Sequence, residues 1–295
     1  MISKAKKVIA VIGASGQQGG AVVRALRADD QFHVRALSRN PSRLLDLGHE
    51  VHKADLNDPD GLEAAFTGAH GVFLVTNFWE QGADEIKQAT GAIRAAKAAG
   101  VQHLIWSTLP NVEEISGGKY NVPHYTGKAK VDAIIRDARF EHYTFVIPPM
   151  YYQNLTGPLA PQKQVDGSLG WALPLDPGVR GIHMGDINEI GHIVAGAFAD
   201  PARAGNGEYL PLVGDFMSFD DIIRTLNSQG HAFSFTQVQD ETFPAEVAQT
   251  FRYFQEHTYL GSNSLDRIDL ANRIAGREPS TFSSWAATNF PIASK

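Results

Sequence analysis

The chain has no cysteine among its 295 residues. That absence excludes disulfides, thiol catalysis and cysteine-based zinc sites, and it fits a cytoplasmic protein. Excess positive charge is missing as well: 26 Lys and Arg against 32 Asp and Glu give a net charge of −6 and a pI near 6.0. No basic run is long enough to grip a phosphate backbone, so direct nucleic-acid binding is not expected; a protein partner that itself binds DNA stays open. Long apolar runs are lacking too. Nothing approaches the roughly 20 residues of a membrane-spanning helix, and no membrane association is expected. The opening "MISKAKKVIAVIGASG" imitates a signal peptide, but its apolar run is only about seven residues long and leads into glycines. It reads better as a buried first strand. No Gly-x-Ser-x-Gly elbow appears, so a hydrolase has no support. His49 and His52 lie near each other without a third ligand, and no metal site is expected.

What is present is alternation. "KVIAVIG", "HVRALS", "EVHKAD", "GVFLVT", "HLIWST" and "YTFVIP" are short, apolar and bounded by Gly, Asn, Asp or Pro, as strands are. Between them the spacing predicts helices near 18–28, 59–67, 81–99 and 125–137. Strand and helix in turn predict an α/β fold, a doubly wound parallel sheet of the Rossmann type. After Pro148-Pro149 the rhythm breaks into Pro- and Gly-rich loops with a hairpin around Gly167. A helix follows in "INEIGHIVAGAFADP", then a capped helix from Ser218 with Asp221 as its box partner, a strand in "HAFSFTQV", and a helix over 244–259. Residues 1–150 are therefore assigned to a cofactor-binding domain. Residues 151–295 are assigned to a smaller α+β substrate or effector lobe, interleaved with the first.

Gly13-x-x-Gly16-x-x-Gly19 falls between the first strand and the first helix, where backbone amides can approach a pyrophosphate at a helix N-terminus. The alternative is a glycine turn that only packs helix on strand. The second strand ends "RALSRNPSR", without the acid that holds a ribose hydroxyl in NAD-binding folds. Arg39 and Arg43 stand there instead. Their forks suit a 2′-phosphate, which points to NADP(H), against the alternative of two solvated arginines. Asp55 and Leu56 follow the third strand, where a side chain meets adenine. Thr76, Asn77, Phe78 and Trp79 follow the fourth, beside the ribose and nicotinamide, unless they are a plain strand end with core or lid aromatics. Ser107 and Thr108 end the fifth strand, the usual place of a carbonyl-polarising hydroxyl, though such hydroxyls are as often loop caps.

"GASGQQGG", "SRNPSR", "VTNFWE", "HYTGKAKVD" and "PPMYYQNL" together resemble the NmrA-like family of atypical short-chain dehydrogenases, from about residue 7 to 290. The resemblance is closest to the NADP(H)-binding redox-sensor branch, and more distant to reductases of the isoflavone reductase type. It implies that Gly13, Ser15, Gly16, Gln17 and Gln18 form a diphosphate loop and that Arg39 and Arg43 hold the 2′-phosphate. It further implies Asp55 at the adenine, Thr76, Asn77 and Phe78 at the ribose, Lys128 at the nicotinamide ribose, and Pro149 to Tyr152 beside the nicotinamide.

Short-chain dehydrogenases set a tyrosine four residues before a lysine, on one helical face. Here that position is His124, and Tyr125 precedes Lys128 by three. Two readings follow. The first is an NADPH-dependent reductase of a small apolar or aromatic carbonyl, imine or enone. Lys128 would be its acid/base, aided by Tyr125 or His124, with Trp79, Met150, Tyr151, Tyr152 and Trp171 as pocket wall. The second is a catalytically silent sensor whose cofactor occupancy controls a regulatory protein partner. In that reading Lys128 only holds the ribose, His124 is an exposed helix start, and Tyr125 is packing.

Overall fold

The computed structural model describes residues 5–44, 48–262 and 264–290, with the Arg43 side chain outside that set. Strands β1 (Lys7–Val11), β2 (Phe32–Ser38), β3 (Glu50–Lys53), β4 (Gly71–Leu74), β5 (His103–Ser107) and β6 (His142–Ile147) form a parallel sheet in the order β6-β5-β4-β1-β2-β3. A seventh parallel strand, Asn206–Pro211, joins outside β6 from far along the chain. Strand order reverses between β1 and β4, which opens a crevice at their carboxyl ends.

Both faces of the sheet are buried, as its near-continuous apolar strands require. Ile9, Val11, Val34, Phe73 and Ile105 face helix α1 (Gln17–Ala28) and the helix Ile190–Ala199. Ala10, Leu37, Val72, Leu74 and Trp106 face α2 (Pro59–Phe66), α3 (Glu85–Ala98) and, beyond the short α4 (Val112–Ile115), α5 (Pro123–Ala138). Phe73 and Trp106 are completely enclosed, each worth about 1.5–3 kcal/mol of burial.

One local expectation shifts. Helix α3 starts at Glu85 because Gly82 turns with φ +77° and the Asp84 side chain accepts from Lys87 N at 3.0 Å, capping it there. The stretch 111–123 carries α4, capped by Asn111, and its Val112, Tyr120 and Val122 are buried. The capping box at Ser218 and Asp221 forms as the spacing implies. Two helices, Leu265–Ala275 and Phe282–Asn289, follow the last element the pattern indicated.

The second half builds two small sheets. Met150–Tyr151 pairs with Ile182–Gly185, which pairs with Asp215–Met217; Gln162–Lys163 forms a hairpin with Leu169–Leu173, which pairs with Phe233–Gln237. A third apolar cluster fills the space beneath them. Among the described residues no helix is long and apolar enough to cross a membrane.

Three enclosed ionisable groups give the fold a pH signature. Burial pulls His103 down to about 3 and His183 to about 4, and pushes Asp132 up to about 6. Below pH 6.5 the unfolded chain protonates both histidines before the native state does, so each removes about 1.4 kcal/mol per pH unit. Asp132 acts oppositely: the native state takes its proton first, adding a similar slope between about pH 6 and 4. Two against one leaves a net loss of about 3 kcal/mol from pH 6 to pH 4 from these groups. His183→Phe should flatten that dependence in urea unfolding. An unchanged slope would show that His183 titrates normally in the folded protein.

Candidate functional site

The crevice is a cleft of about 780 Å³. One end is built by the glycine loop. Gly13 has φ +66°, and a Cβ on Gly19 would lie 2.2 Å from the Gly13 carbonyl oxygen, so the loop and α1 meet backbone to backbone. Gly16 caps α1 without any side-chain bond, and the first turn holds no acid. The helix N-terminus therefore offers free N–H groups and its positive dipole end to the cleft. An anionic diphosphate fits that cradle.

Ser15, Gln17 and Gln18 line the same end. Arg39, well exposed after β2, lines it too and is ion-paired across the crevice with Glu80. Asp55 and Leu56 line the wall beyond β3, where Asp55 Oδ1 accepts from Asn57 N at 2.9 Å. Arg43 cannot be placed, because its side chain lies outside the described residues.

The deep end gathers Thr76, Asn77, Phe78, Trp79, His124, Tyr125, Lys128, Pro149, Met150 and Tyr151. The helix Ala245–His257 and its neighbour add Val247, Phe251, Phe254 and Tyr259, which the sequence did not single out. Lys128 is almost enclosed. Its Nζ donates to Glu85 Oε1 at 2.6 Å, Thr76 Oγ1 at 2.9 Å and the Thr76 carbonyl at 3.0 Å. An ammonium has three hydrogens, so all are engaged. Burial pulls Lys128 below its ordinary value, and Glu85 opposes the shift. Thr76 Oγ1 donates in turn to Glu85 Oε1 at 2.5 Å, while Glu85 Oε2 is buried without a partner.

The other expected proton donors are engaged or enclosed. Tyr125 lies in the apolar core with its ring edge-on to that of Tyr259, 5.5 Å between centres, and burial drives its hydroxyl well above the ordinary range. Tyr259 donates to the Pro148 carbonyl at 2.7 Å. His124 packs against Phe78 and Trp79 rather than standing exposed, and its Nδ1 bonds the Glu246 carboxylate. Burial pulls its pKa below the ordinary value despite Glu246, which leaves a neutral ring at pH 7 with Nε2 as an acceptor.

Ser107 does not line the cleft. It donates to Gln18 Oε1 at 2.7 Å, and Gln18 Nε2 donates to the Tyr151 hydroxyl at 2.8 Å. Thr108 is fully buried. Two residues expected in the pocket wall are elsewhere. Tyr152 opens the 3₁₀ turn Tyr152–Thr156 that follows the short strand, turns away from the cleft, donates to Asp215 Oδ2 at 2.7 Å and packs on Phe282 and Trp285. Trp171 is buried between Phe219 and Phe233, its Nε1 donating to the Leu159 carbonyl at 2.7 Å. Glu80, Glu85 and Glu246 were not indicated by the sequence: two are acids in first helical turns, where such residues are normally solvated dipole partners. Among the described residues no three His, Asp or Glu side chains cluster to hold a metal.

The geometry has counterparts among known proteins. The NmrA-like family model matches residues 5–286. An NmrA-like family domain-containing protein of Dictyostelium discoideum is 32% identical over 271 residues, covering 85% of this chain and 88% of that one. The NmrA-like family domain-containing oxidoreductase FrzB of a Cladobotryum species is 33% identical over 242 residues, covering 73% and 71%. The solved structure of NmrA, a negative transcriptional regulator, in complex with NADP superposes with a TM-score of 0.81 at 24% identity, covering 98% of this chain and 97% of that one. The fold is thus shared along nearly the whole chain, and this protein belongs to the NmrA-like family.

Proposed function

We propose that this protein is an NADP(H)-dependent oxidoreductase that reduces a small apolar or aromatic carbonyl, imine or enone compound. The observation that carries the proposal is one continuous cleft. It runs from an uncapped helix N-terminus and an arginine to a chamber walled by Phe78, Met150, Phe251 and Phe254. When bound there, the reduced nicotinamide supplies a hydride.

The chain's own residues bind and orient. Gly13, Ser15, Gly16, Gln17 and Gln18 hold the diphosphate; Arg39, with Arg43, holds the 2′-phosphate; Asp55 and Leu56 meet the adenine. Thr76, Asn77 and Phe78 hold the nicotinamide ribose, with Pro149 and Tyr151 beside the ring; Lys128 reaches the ribose by exchanging one of its bonds to Thr76 for it. Residues 151–295 close the substrate side. A cytoplasmic location goes with this reading, since a cysteine-free chain needs no oxidising compartment.

A second reading, a cofactor-responsive regulator of a protein partner, draws support from the engaged hydrogens of Lys128 and the enclosure of Tyr125 in the apolar core. Turnover separates the two. NADPH oxidation over a panel of aryl aldehydes, enones and imines supports the enzyme. Cofactor binding with no turnover on any of them makes the regulator the better reading.

Cofactor preference tests the phosphate end. NADPH should bind at least about tenfold tighter than NADH, roughly 1.4 kcal/mol, in calorimetric titration. Arg39→Ala should erase the difference by weakening NADPH alone. Glu80 competes with the phosphate for Arg39, so Glu80→Gln should tighten NADPH and leave NADH unmoved. Equal affinities in the parent protein, or a preference untouched by Arg39→Ala, would refute the phosphate assignment.

A further inference from the structure

Of the ionisable side chains at the deep end of the cleft that could give a hydrogen bond, all but one are engaged or enclosed. Lys128 spends its three hydrogens on Thr76 and Glu85. Tyr125 is sunk in the apolar core against the Tyr259 ring, and neutral His124 turns its Nδ1 to Glu246. Ser107, at the end of β5, stands outside the cleft and donates to Gln18. Tyr151 differs. Its oxygen accepts from Gln18 Nε2 at 2.8 Å, and among the described residues no acceptor is bonded to its own O–H. Tyr151 lines the cleft beside Met150 and Lys128.

The three groups form a chain of donors running one way. Ser107 Oγ gives to the Gln18 carbonyl oxygen, and the Gln18 amide gives to Tyr151 Oη. Each bond polarises the next, so the last O–H becomes a better donor than an isolated phenol. The hydroxyl that a short-chain dehydrogenase would present from the strand is satisfied inside the protein, and another is offered from Tyr151. Burial pushes the Tyr151 hydroxyl up to about 12, so it stays protonated at neutral pH.

We propose that Tyr151 is the catalytic donor that holds the substrate's carbonyl oxygen, and that Ser107 and Gln18 are positioning residues that orient it. The proposal rests on the reductase reading and adds a residue to it. In the step, the carbonyl carbon accepts a hydride with its electron pair from the reduced nicotinamide. The C=O π pair moves onto oxygen, where the Tyr151 O–H bond stabilises the growing charge, and that oxygen takes its proton from water. One NADP⁺, one alcohol and one hydroxide result, the hydroxide being neutralised by bulk buffer.

The test uses the whole protein with 4-(dimethylamino)cinnamaldehyde, whose absorption moves to longer wavelength when its carbonyl is hydrogen-bonded. The ternary complex with NADP⁺ should show that red shift. Tyr151→Phe should abolish it, and Ser107→Ala, which leaves the cleft wall intact, should reduce it. At saturating NADPH, kcat for the aldehyde should fall by about 10² to 10³ in Tyr151→Phe, the loss typical of an oxyanion donor. NADPH affinity, measured by titration in each variant, separates this from lost cofactor. A parent complex without the shift, or a Tyr151→Phe variant that keeps shift and kcat, overturns the assignment while leaving any turnover, and so the reductase reading, intact. A Tyr151-dependent shift in a protein that turns over no carbonyl supports the donor and refutes the reductase.

Discussion

Lys128→Met should lower the stability of the protein by about 3–5 kcal/mol, the cost of leaving one member of a buried ion pair alone. The side chains of Lys128 and Glu85 are only 10% and 5% exposed, so water cannot replace the lost ammonium. Glu85 Oε2 already lacks a partner, and the variant would leave Oε1 with Thr76 only. The same removal frees the Thr76 carbonyl and unsettles the loop that carries Asn77 and Phe78. Urea unfolding of Lys128→Met, Glu85→Gln and the double variant tests this as a cycle. The double variant should recover most of the loss, since neither charge then remains. A single-variant cost below about 1 kcal/mol, the range of exposed pairs, would show that the pair is solvated and not enclosed. Measured with saturating NADPH, Lys128→Met should change turnover much less than Tyr151→Phe does, because no lysine hydrogen points into the cleft.

Gly19→Ala is the second large effect. The added methyl would meet the Gly13 carbonyl oxygen at 2.2 Å and its carbon at 2.5 Å. Backbone on both sides cannot yield as a flexible side chain could, so α1 must retreat from the loop. Overpacking of this kind costs about 1–3 kcal/mol, and here it also opens the anion cradle. NADPH affinity should fall by roughly 100-fold, about 2.7 kcal/mol. Gly20→Ala is the natural control. Its methyl would come no nearer than 3.3 Å, to the flexible end of Arg24, and a helical Gly→Ala change is worth up to about 1 kcal/mol in favour. Gly20→Ala should therefore bind NADPH normally. Similar losses in both variants would mean that general helix repacking, not the contact with Gly13, governs the site.

Gly13 and Gly19 show why the glycine-loop end of the cleft was legible in the sequence. A positive φ and a backbone-to-backbone approach can be met by one residue type, so the spacing of Gly13, Gly16 and Gly19 carries its own geometry. Strands β1, β4, β5 and β6 were legible for a similar reason, since a sheet centre buried on both faces demands apolar runs, whereas β2 alternates and β3 is half-exposed, and both were legible from the strand–helix rhythm. The deep end had no such local signature. Glu85 is one of two adjacent acids at a helix start, and Glu246 is the same kind of residue more than 150 positions later. What distinguishes them is the lysine and the histidine they meet, and those contacts exist only after the chain has closed on itself. Tyr151 and Tyr152 were expected together in the cleft, yet the strand ends at Tyr151 and the 3₁₀ turn beginning at Tyr152 sends its ring to the other side. Trp171 was placed in the wall on its chemistry alone, and the third apolar cluster claimed it instead.

The seventh strand of the main sheet bears on how this chain is made. On the ribosome, the outer edge of β6 stays unpaired until residues 148 to 205, and then Asn206–Pro211 itself, have emerged. Throughout that interval a nascent strand shows a bare row of amides and carbonyls, with buried-type residues Thr144 to Ile147 at its end, to any other extended segment nearby. A fragment cut near residue 150 would be held permanently at that stage. The half that supplies β1 to β6 is thus encoded first but completed late, and its outer edge is covered only by a segment synthesised with the other half.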